Sequence, residues 1–502
     1  MVKKTKILWV CNIMLPVIAE ALGVESSNKE GWLSGLCDIV LERQQENGIE
    51  LHVAYPVDRE QDGSSYEIQA EKGLLYAYGF YENVANAERY EEGLEERIQR
   101  ILEQVNPDVV HCFGTEYAHT LAAARCFAHP EHLLIGIQGV CHAIVQAYMA
   151  DLPEQVQNSI TFRDWLKKDS IRMQQQKFEL RAKREAQILS LAGNVTGRTE
   201  FDRHFTEQSN PNAVYFSMNE TLRAPFYEGQ WSYDTCESHT IFLSQGDYPL
   251  KGLHYMLLAA GKLLKSYPDL KICIAGNSLV NYHTLKDKIK ISAYGKYLRR
   301  LICENHLEDR VHFLGRLTAQ EMKQQYLKSG LYVCCSSNEN SPNSLGEAML
   351  LGVPCVAANV GGIPSLFVDG QDGILYEGYE RAEAEVADKS SETTKEFQLT
   401  ESNEKEGIPR NNKNNKCYRR NDASDSVSET MTGNRKEIKE TEETSELDRN
   451  VENLAQAIEK MWSNREKMER YSENARLHAK RTHDKELNYQ KMTEVYAKIA
   501  GR

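Results

Sequence analysis

Twelve cysteines are spread over 502 residues, yet none forms a CxxC pair and none joins histidines at zinc-site spacing. That excludes the common structural zinc frameworks. Cys11, Cys112, Cys273 and Cys355 sit inside apolar runs, and Cys334-Cys335 reads as two strand neighbours facing opposite sides. Buried free thiols in a reducing compartment account for this pattern. Positive charge is in deficit as well. Sixty Lys and Arg against 73 Asp and Glu leave a formal net charge of −13, so the global field gives no reason to expect a nucleic-acid partner. Beyond the N-terminus no apolar run reaches the roughly 18 residues that a spanning helix needs. At the N-terminus, Lys3, Lys4 and Lys6 precede Ile7–Val24, and Ala19-Glu20-Ala21 mimics a signal cleavage site. Asn12, Pro16 and Glu20 interrupt that stretch, and Ile7–Cys11 reads as a buried first strand running into a loop. The expectation is a cytoplasmic protein.

What is present is an alternation of strand and helix. In the first half strands read at Lys6–Cys11, Ile49–Tyr55, Asp108–Phe113 and Leu133–Gln138, with helices near 31–47, 88–105, 116–126 and 164–191. The second half repeats the pattern at Thr240–Ser244, Lys271–Ala275, Arg310–Leu314, Leu331–Cys335 and Pro354–Ala357, with helices at 252–266, 319–328 and 344–351. Near-continuous apolar strands such as Ile272-Cys273-Ile274-Ala275 suit parallel sheets covered on both faces. The reading is α/β, two doubly wound Rossmann-like domains at 1–215 and 225–379 facing across a cleft at the carboxyl ends of their strands. The polar, low-complexity segment 380–448, with Asn411-Asn412-Lys413-Asn414-Asn415 at its middle, holds too little apolar surface to offset chain entropy and reads as a disordered insert. Helices resume from Val451 and complete a 449–502 tail.

The chemistry concentrates in Ser336–Met349, where Glu339 and Glu347 have seven residues between them. The stretch follows one strand and opens the next helix. Glu339 therefore falls in the loop, Glu347 in the first helical turn, and the amides of Ser344, Leu345 and Gly346 stand ready for a diphosphate. A capping box, Ser344-x-x-Glu347, explains the same letters without any ligand. No DxD triplet follows a strand in a context suited to a metal.

This loop and helix resemble the E-x7-E motif of retaining glycosyltransferases of family 4, whose fold is called GT-B. The likeness continues through Lys251-Gly252, Val311–Arg316, Gly352–Ala357, Gly361-Gly362-Ile363-Pro364 and Asp369–Leu375, in the family's order. Softer matches at Tyr215–Arg223, Gly197-Arg198-Thr199 and Tyr248–Gly252 are similar to bacterial polysaccharide-building members. The resemblance implies that Glu347 accepts hydrogen bonds from the ribose hydroxyls and that Glu339 lies by the donor sugar. It implies that Lys251 offsets charge on the leaving diphosphate. Asn343, Ser344 and Leu345 at the helix start, Gly315 with Arg316, and Gly31 in the first half would complete the donor site. Metal-independent transfer with no bound cofactor is implied, the co-substrate being a UDP- or GDP-linked sugar.

The chain departs from the family at three places. Gly246 stands where an arginine is usual, and Phe113 and Gln138 stand where histidines are usual. His111, Glu116, His142 and Arg198 are the acceptor-side candidates, each with a structural role as the alternative. The segment 163–185 carries eight basic and four acidic residues with Trp165, Leu166, Met173, Phe178 and Leu180 interleaved. It reads either as a solvated helix packed on the sheet or as a basic amphipathic helix resting on the inner face of the membrane. The resemblance thus implies transfer of a sugar to a hydroxyl of a saccharide or lipid-linked saccharide in surface polysaccharide synthesis. A non-catalytic partner subunit, or an epimerase or phosphorylase of the same fold, are the alternatives.

Overall fold

A computed structural model describes residues 4–25, 31–282, 284–379 and 445–501. The 380–448 reading therefore lies almost wholly outside the described residues. Eight strands form the first sheet: β1 (Thr5–Val10), β2 (Ile49–Val57), β3 (Ser65–Gln69), β4 (Leu74–Tyr81), β5 (Val109–Phe113), β6 (Leu133–Gly136), β7 (Asn194–Gly197) and β8 (Val214–Ser217). Their order is β3-β4-β2-β1-β5-β6-β7-β8, parallel throughout except for the antiparallel β3–β4 edge pair. Six strands form the second: β9 (Glu237–Leu243), β10 (Lys271–Ile274), β11 (Val311–Phe313), β12 (Ser329–Cys334), β13 (Cys355–Ala358) and β14 (Ile374–Tyr376). All are parallel, in the order β11-β10-β9-β12-β13-β14.

The second order is that of the doubly wound nucleotide-binding sheet. The first keeps the same centre with strands added at its edges. In each sheet the chain leaves the middle in one direction and later returns to run in the other, at β1/β5 and at β9/β12. Loops leaving those central strands diverge and leave a crevice. The strands buried deepest have no polar face: Ile7, Leu8, Trp9 and Val10 of β1 and Leu331, Tyr332 and Val333 of β12 are all buried.

The structure differs from the sequence reading where patterns were short. The β3–β4 pair was not anticipated, because β3 exposes Ser65, Tyr66, Glu67 and Gln69 and buries only Ile68. β7 and β8 are four residues each. The helix expected over 164–191 is two helices, Phe162–Lys167 and Ile171–Leu191. Lys168 caps the first in the left-handed region at φ 50, and Ser170 caps the second through its hydroxyl. The basic, apolar-interleaved segment is therefore not one amphipathic rod.

The last helix, Lys485–Ile499, lies against the first sheet. The indole of Trp9 on β1 donates to the Tyr496 hydroxyl at 2.8 Å, and Arg43 pairs with Glu486 at 3.0 Å.

Candidate active site

The carboxyl ends of β9 and β12 lie side by side at the switch point, and the chain after each carries a charge into the crevice. After β9 a short turn, Pro249–Lys251, ends on Gly252 at φ +69. A Cβ there would sit 1.8 Å from the Cys335 carbonyl oxygen, so only glycine lets the turn seat on the end of β12. The seating brings the Lys251 ammonium to the Glu339 carboxylate, Nζ to Oε1 at 2.5 Å. Ser336 donates to the same oxygen at 2.7 Å. Burial by itself depresses the Lys251 pKa, but the Glu339 charge beside it outweighs that and holds the ammonium above its ordinary range. The Glu339 loop is fixed from behind, since Gly362 N–H donates to the Glu339 carbonyl at 2.9 Å. It is also tied to the first half. Asn340 donates to the Gln138 carbonyl at 3.2 Å and accepts from Thr199 at 2.8 Å, and Ser337 donates to the Ala147 carbonyl at 3.1 Å.

The helix that follows is Asn343–Leu351, one residue longer at its start than expected, with Pro342 as N-cap and no side-chain cap. The capping box is not formed. The Ser344 hydroxyl accepts from Tyr332 at 2.8 Å, and Glu347 lies in the second turn, not the first. Two of the three amides expected to be open are used, because Leu345 and Gly346 donate to the Pro342 carbonyl. Among the described residues the Asn343 and Ser344 amides meet no acceptor, and the Asn343 Oδ1 is buried without a partner.

Glu347 is buried, and burial pushes its carboxyl up to about 7 against the opposing pull of Arg223. Arg223 reaches Oε1 with both Nε, at 2.9 Å, and Nη2, at 2.7 Å, and stacks over Phe226. Nothing in the Tyr215–Arg223 stretch itself names a partner for Arg223. An arginine 124 residues away from its acid leaves no local spacing to read.

At the far side of the sheet, Gly276 after β10 and Gly315 after β11 exchange backbone hydrogen bonds at 2.8 and 3.1 Å. Both have positive φ, and nothing lies within 4 Å of where either Cβ would be. Arg316 beside them is exposed. Where the family arginine would stand, a Cβ on Gly246 would meet Leu253 at 2.8 Å, so that position is packed.

The first-half candidates are placed differently. His111 is buried on β5, hydrogen-bonded through Nδ1 to the Tyr496 hydroxyl at 2.7 Å, and burial pulls it down to about 3. Glu116 accepts from the Gly139 amide at 3.1 Å. Arg198 is buried in an ion pair with Glu220 and donates to the Ile137 and Gln138 carbonyls. His142 bonds Gln146 through its ring at 3.1 Å, and its amide donates to Glu185 at 3.1 Å. Glu185, which sequence reading passed over, also accepts from Thr115 and from the Cys141 amide, and burial pushes it up to about 7. Gly31 opens the helix Gly31–Glu42. The structure thus brings Lys251, Glu339 and the start of the helix Asn343–Leu351 together on one sheet edge. His111 and Arg198 instead belong to packed interior networks.

A cavity of about 260 Å³ opens between the two halves. Tyr148, Arg163, Asp164, Asp247, Tyr248 and Lys290 are among its walls. Tyr248 also lies under Lys251, Nζ 5.8 Å from its ring centroid, so cavity and ion pair are one side chain apart. Among the described residues no cluster of three or more His, Cys, Asp or Glu side chains is placed to hold a metal ion.

Residues 235–402 match the family model described as Glycosyl transferases group 1. That stretch contains Lys251, Gly315, Glu339 and Glu347. Among curated proteins, a D-inositol 3-phosphate glycosyltransferase of Corynebacterium efficiens is 29% identical over 136 residues, 27% of this chain and 30% of that one. The chain spans about half or less of the length of the curated relatives it matches. Among solved structures, a sucrose-phosphate synthase from Thermosynechococcus elongatus superposes with a TM-score of 0.60 at 12% identity, covering 99% of both chains. The Anabaena HepE protein in complex with UDP-glucose superposes with a TM-score of 0.55 at 14% identity, covering 98% of this chain and 99% of that one. The fold is GT-B.

Proposed function

We propose that the protein is a retaining, metal-independent glycosyltransferase that moves a sugar from a nucleoside diphosphate, UDP or GDP, to a hydroxyl of a saccharide or lipid-linked saccharide. Surface polysaccharide synthesis at the cytoplasmic face of the membrane is the setting this reading fits. The observation that carries it is the Lys251–Glu339 pair at the switch point of the second sheet, beside the open amides of Asn343 and Ser344. Gly315, Gly276, Lys251 and Glu339 follow four neighbouring strands, and strands about 4.8 Å apart make a row of roughly 15 Å.

In this reading the donor diphosphate takes Lys251 from Glu339. The ammonium then offsets the charge that builds on the leaving phosphate, helped by the two amides. Glu339, released, faces the sugar. Glu347 uses its ionised form to accept from the ribose, with Oε1 steadied by Arg223 and Oε2 left for the ligand. The acceptor hydroxyl attacks the anomeric carbon on the face that the diphosphate leaves, and a donor phosphate oxygen takes its proton. That HepE is described in complex with UDP-glucose supports a uridine donor.

The test is thermal shift of the full chain with UDP, GDP, ADP and their sugar derivatives, followed by product analysis. A selective rise with one nucleotide, and nucleoside diphosphate released only when an acceptor is added, supports transfer. No shift with any of them overturns the reading. The packed Gly246, with no arginine on the diphosphate, favours one second reading, a donor-binding subunit that does not turn over. A selective shift without release in any acceptor would assign it.

A further inference from the structure

Six large apolar side chains stand exposed on two neighbouring helices and the turn before the first: Ile160, Phe162, Trp165, Leu166, Leu285 and Ile289, each between 53% and 78% accessible. They come from both halves of the chain. The first four lie on or just before the helix Phe162–Lys167, and the last two lie on the helix Leu285–Lys290. The two helices touch. Asp164 of the first accepts the Ala293 amide just past the second at 2.9 Å, and both line the cavity described above. An apolar patch of this size on a water-facing surface marks an interaction site.

The charges around the patch name the partner. Lys167, Lys168, Lys286, Lys288 and Lys290 are exposed, and among the described residues none of them forms an ion pair. The acids of the two helices, and Asp169 just after the first, are used internally. Asp164 and Asp169 pair with Arg163, and Asp287 caps its own helix through the Thr284 amide. A basic ring around Trp, Phe, Leu and Ile thus stands on a chain whose net charge is −13. Two copies face to face would oppose lysine to lysine. An anionic bilayer instead satisfies both parts, with the indole and aliphatic groups at the headgroup–acyl boundary and the ammoniums on lipid phosphates.

We propose that the helices Phe162–Lys167 and Leu285–Lys290 together form a docking surface for an anionic phospholipid bilayer. Because one helix comes from each half, docking holds the two halves in the arrangement that forms the cavity between them. If the acceptor is lipid-linked, as proposed above, its headgroup enters that cavity from the bilayer and meets Tyr248 one side chain from Lys251. The rod expected over 163–185 is replaced by a bipartite surface, since the long helix Ile171–Leu191 carries neither Trp165 nor Leu166.

Cosedimentation of the full chain with phosphatidylglycerol-containing vesicles, against pure phosphatidylcholine vesicles, tests the surface without reference to transfer. Each lysine near an anionic leaflet is worth about fivefold in partitioning, so Lys167→Glu/Lys286→Glu/Lys288→Glu lowers binding by on the order of a hundredfold. Trp165→Ser/Leu166→Ser lowers it on both kinds of vesicle. Both variants keep the nucleotide-induced thermal shift of the parent, which separates a failure here from a failure of the proposed activity. Negligible binding by the parent, or equal binding by parent and variants, overturns the proposal. So does a dimer in sedimentation that Trp165→Ser/Leu166→Ser abolishes, because the patch then belongs to a second copy.

Discussion

The two halves have the same construction and opposite contents at corresponding places. In each, parallel strands deliver loops and helix starts to the carboxyl edge of a sheet. In the first half those groups are satisfied from within. Glu185 fills the start of the helix Cys141–Ala147, accepting from the Cys141 and His142 amides, and His111 is closed off by Tyr496 from the last helix. Arg198 is consumed by Glu220. In the second half the start of the helix Asn343–Leu351 is capped by no side chain, and the charges there meet each other across the crevice. The difference teaches that a sheet edge is a place where a site can be built. Whether it is one depends on which groups the chain leaves for something else to satisfy.

The sharpest way to break the comparison is to remove one charge from each half. Arg198→Met leaves Glu220 buried without its partner and costs about 3–5 kcal/mol of stability, read as a lowered denaturation midpoint, with nucleotide binding unchanged in the folded fraction. Lys251→Ala does the reverse. Turnover falls on the order of a hundred- to a thousandfold, and the loss of stability is smaller than for Arg198→Met, because the side chains of this pair are 18% and 14% exposed against 5% and 6% for Arg198 and Glu220. If Arg198→Met abolishes turnover while leaving the midpoint in place, the first half holds reacting groups after all.

The two raised carboxylates sharpen it further. Glu347→Gln weakens nucleotide binding by about 1.5–3 kcal/mol, the worth of a hydrogen bond to a charged group, measured by titration calorimetry. Burial leaves both Glu347 and Glu185 holding a proton in the fold up to about 7, against an ordinary value of 4.5. Between those values the folded chain binds a proton that the unfolded chain has released. Each therefore contributes stability that is full below about 4.5 and is lost as pH rises through about 7. Glu185→Gln flattens that fall in melting temperature and leaves nucleotide affinity alone. Glu347→Gln flattens it too, and also removes a gain in nucleotide affinity that the parent shows as pH rises through about 7, where the carboxylate ionises. The smallest effect belongs to His111→Phe, which loses the bond to Tyr496 and costs about 1 kcal/mol in denaturant unfolding with no change in turnover.

Much of the architecture was legible in the letters. Runs such as Ile7–Val10 and Leu331–Cys334 suit strands buried on both faces, and their alternation with helices of ordinary length points to a doubly wound arrangement. The spacing of Lys251, Glu339 and Glu347 relative to β9 and β12 put all three at one edge. Illegible were the pairs made across long stretches of chain: Arg223 with Glu347, Arg198 with Glu220, Trp9 and His111 with Tyr496. The break at Lys168 was missed because its neighbours keep helical composition on both sides, and Lys168 itself adopts φ 50 without being glycine. β3 and β8 were missed because edge strands carry few buried residues to mark them.

By itself the sequence determined the local periodicities and the order of the strands' chemistry, because these depend on sterics and on neighbours a few positions away. The tertiary structure alone decided which charges cancel one another and which remain for a ligand. Burial and partnership are set by what the rest of the chain brings to a site, and a charge's free energy depends on both.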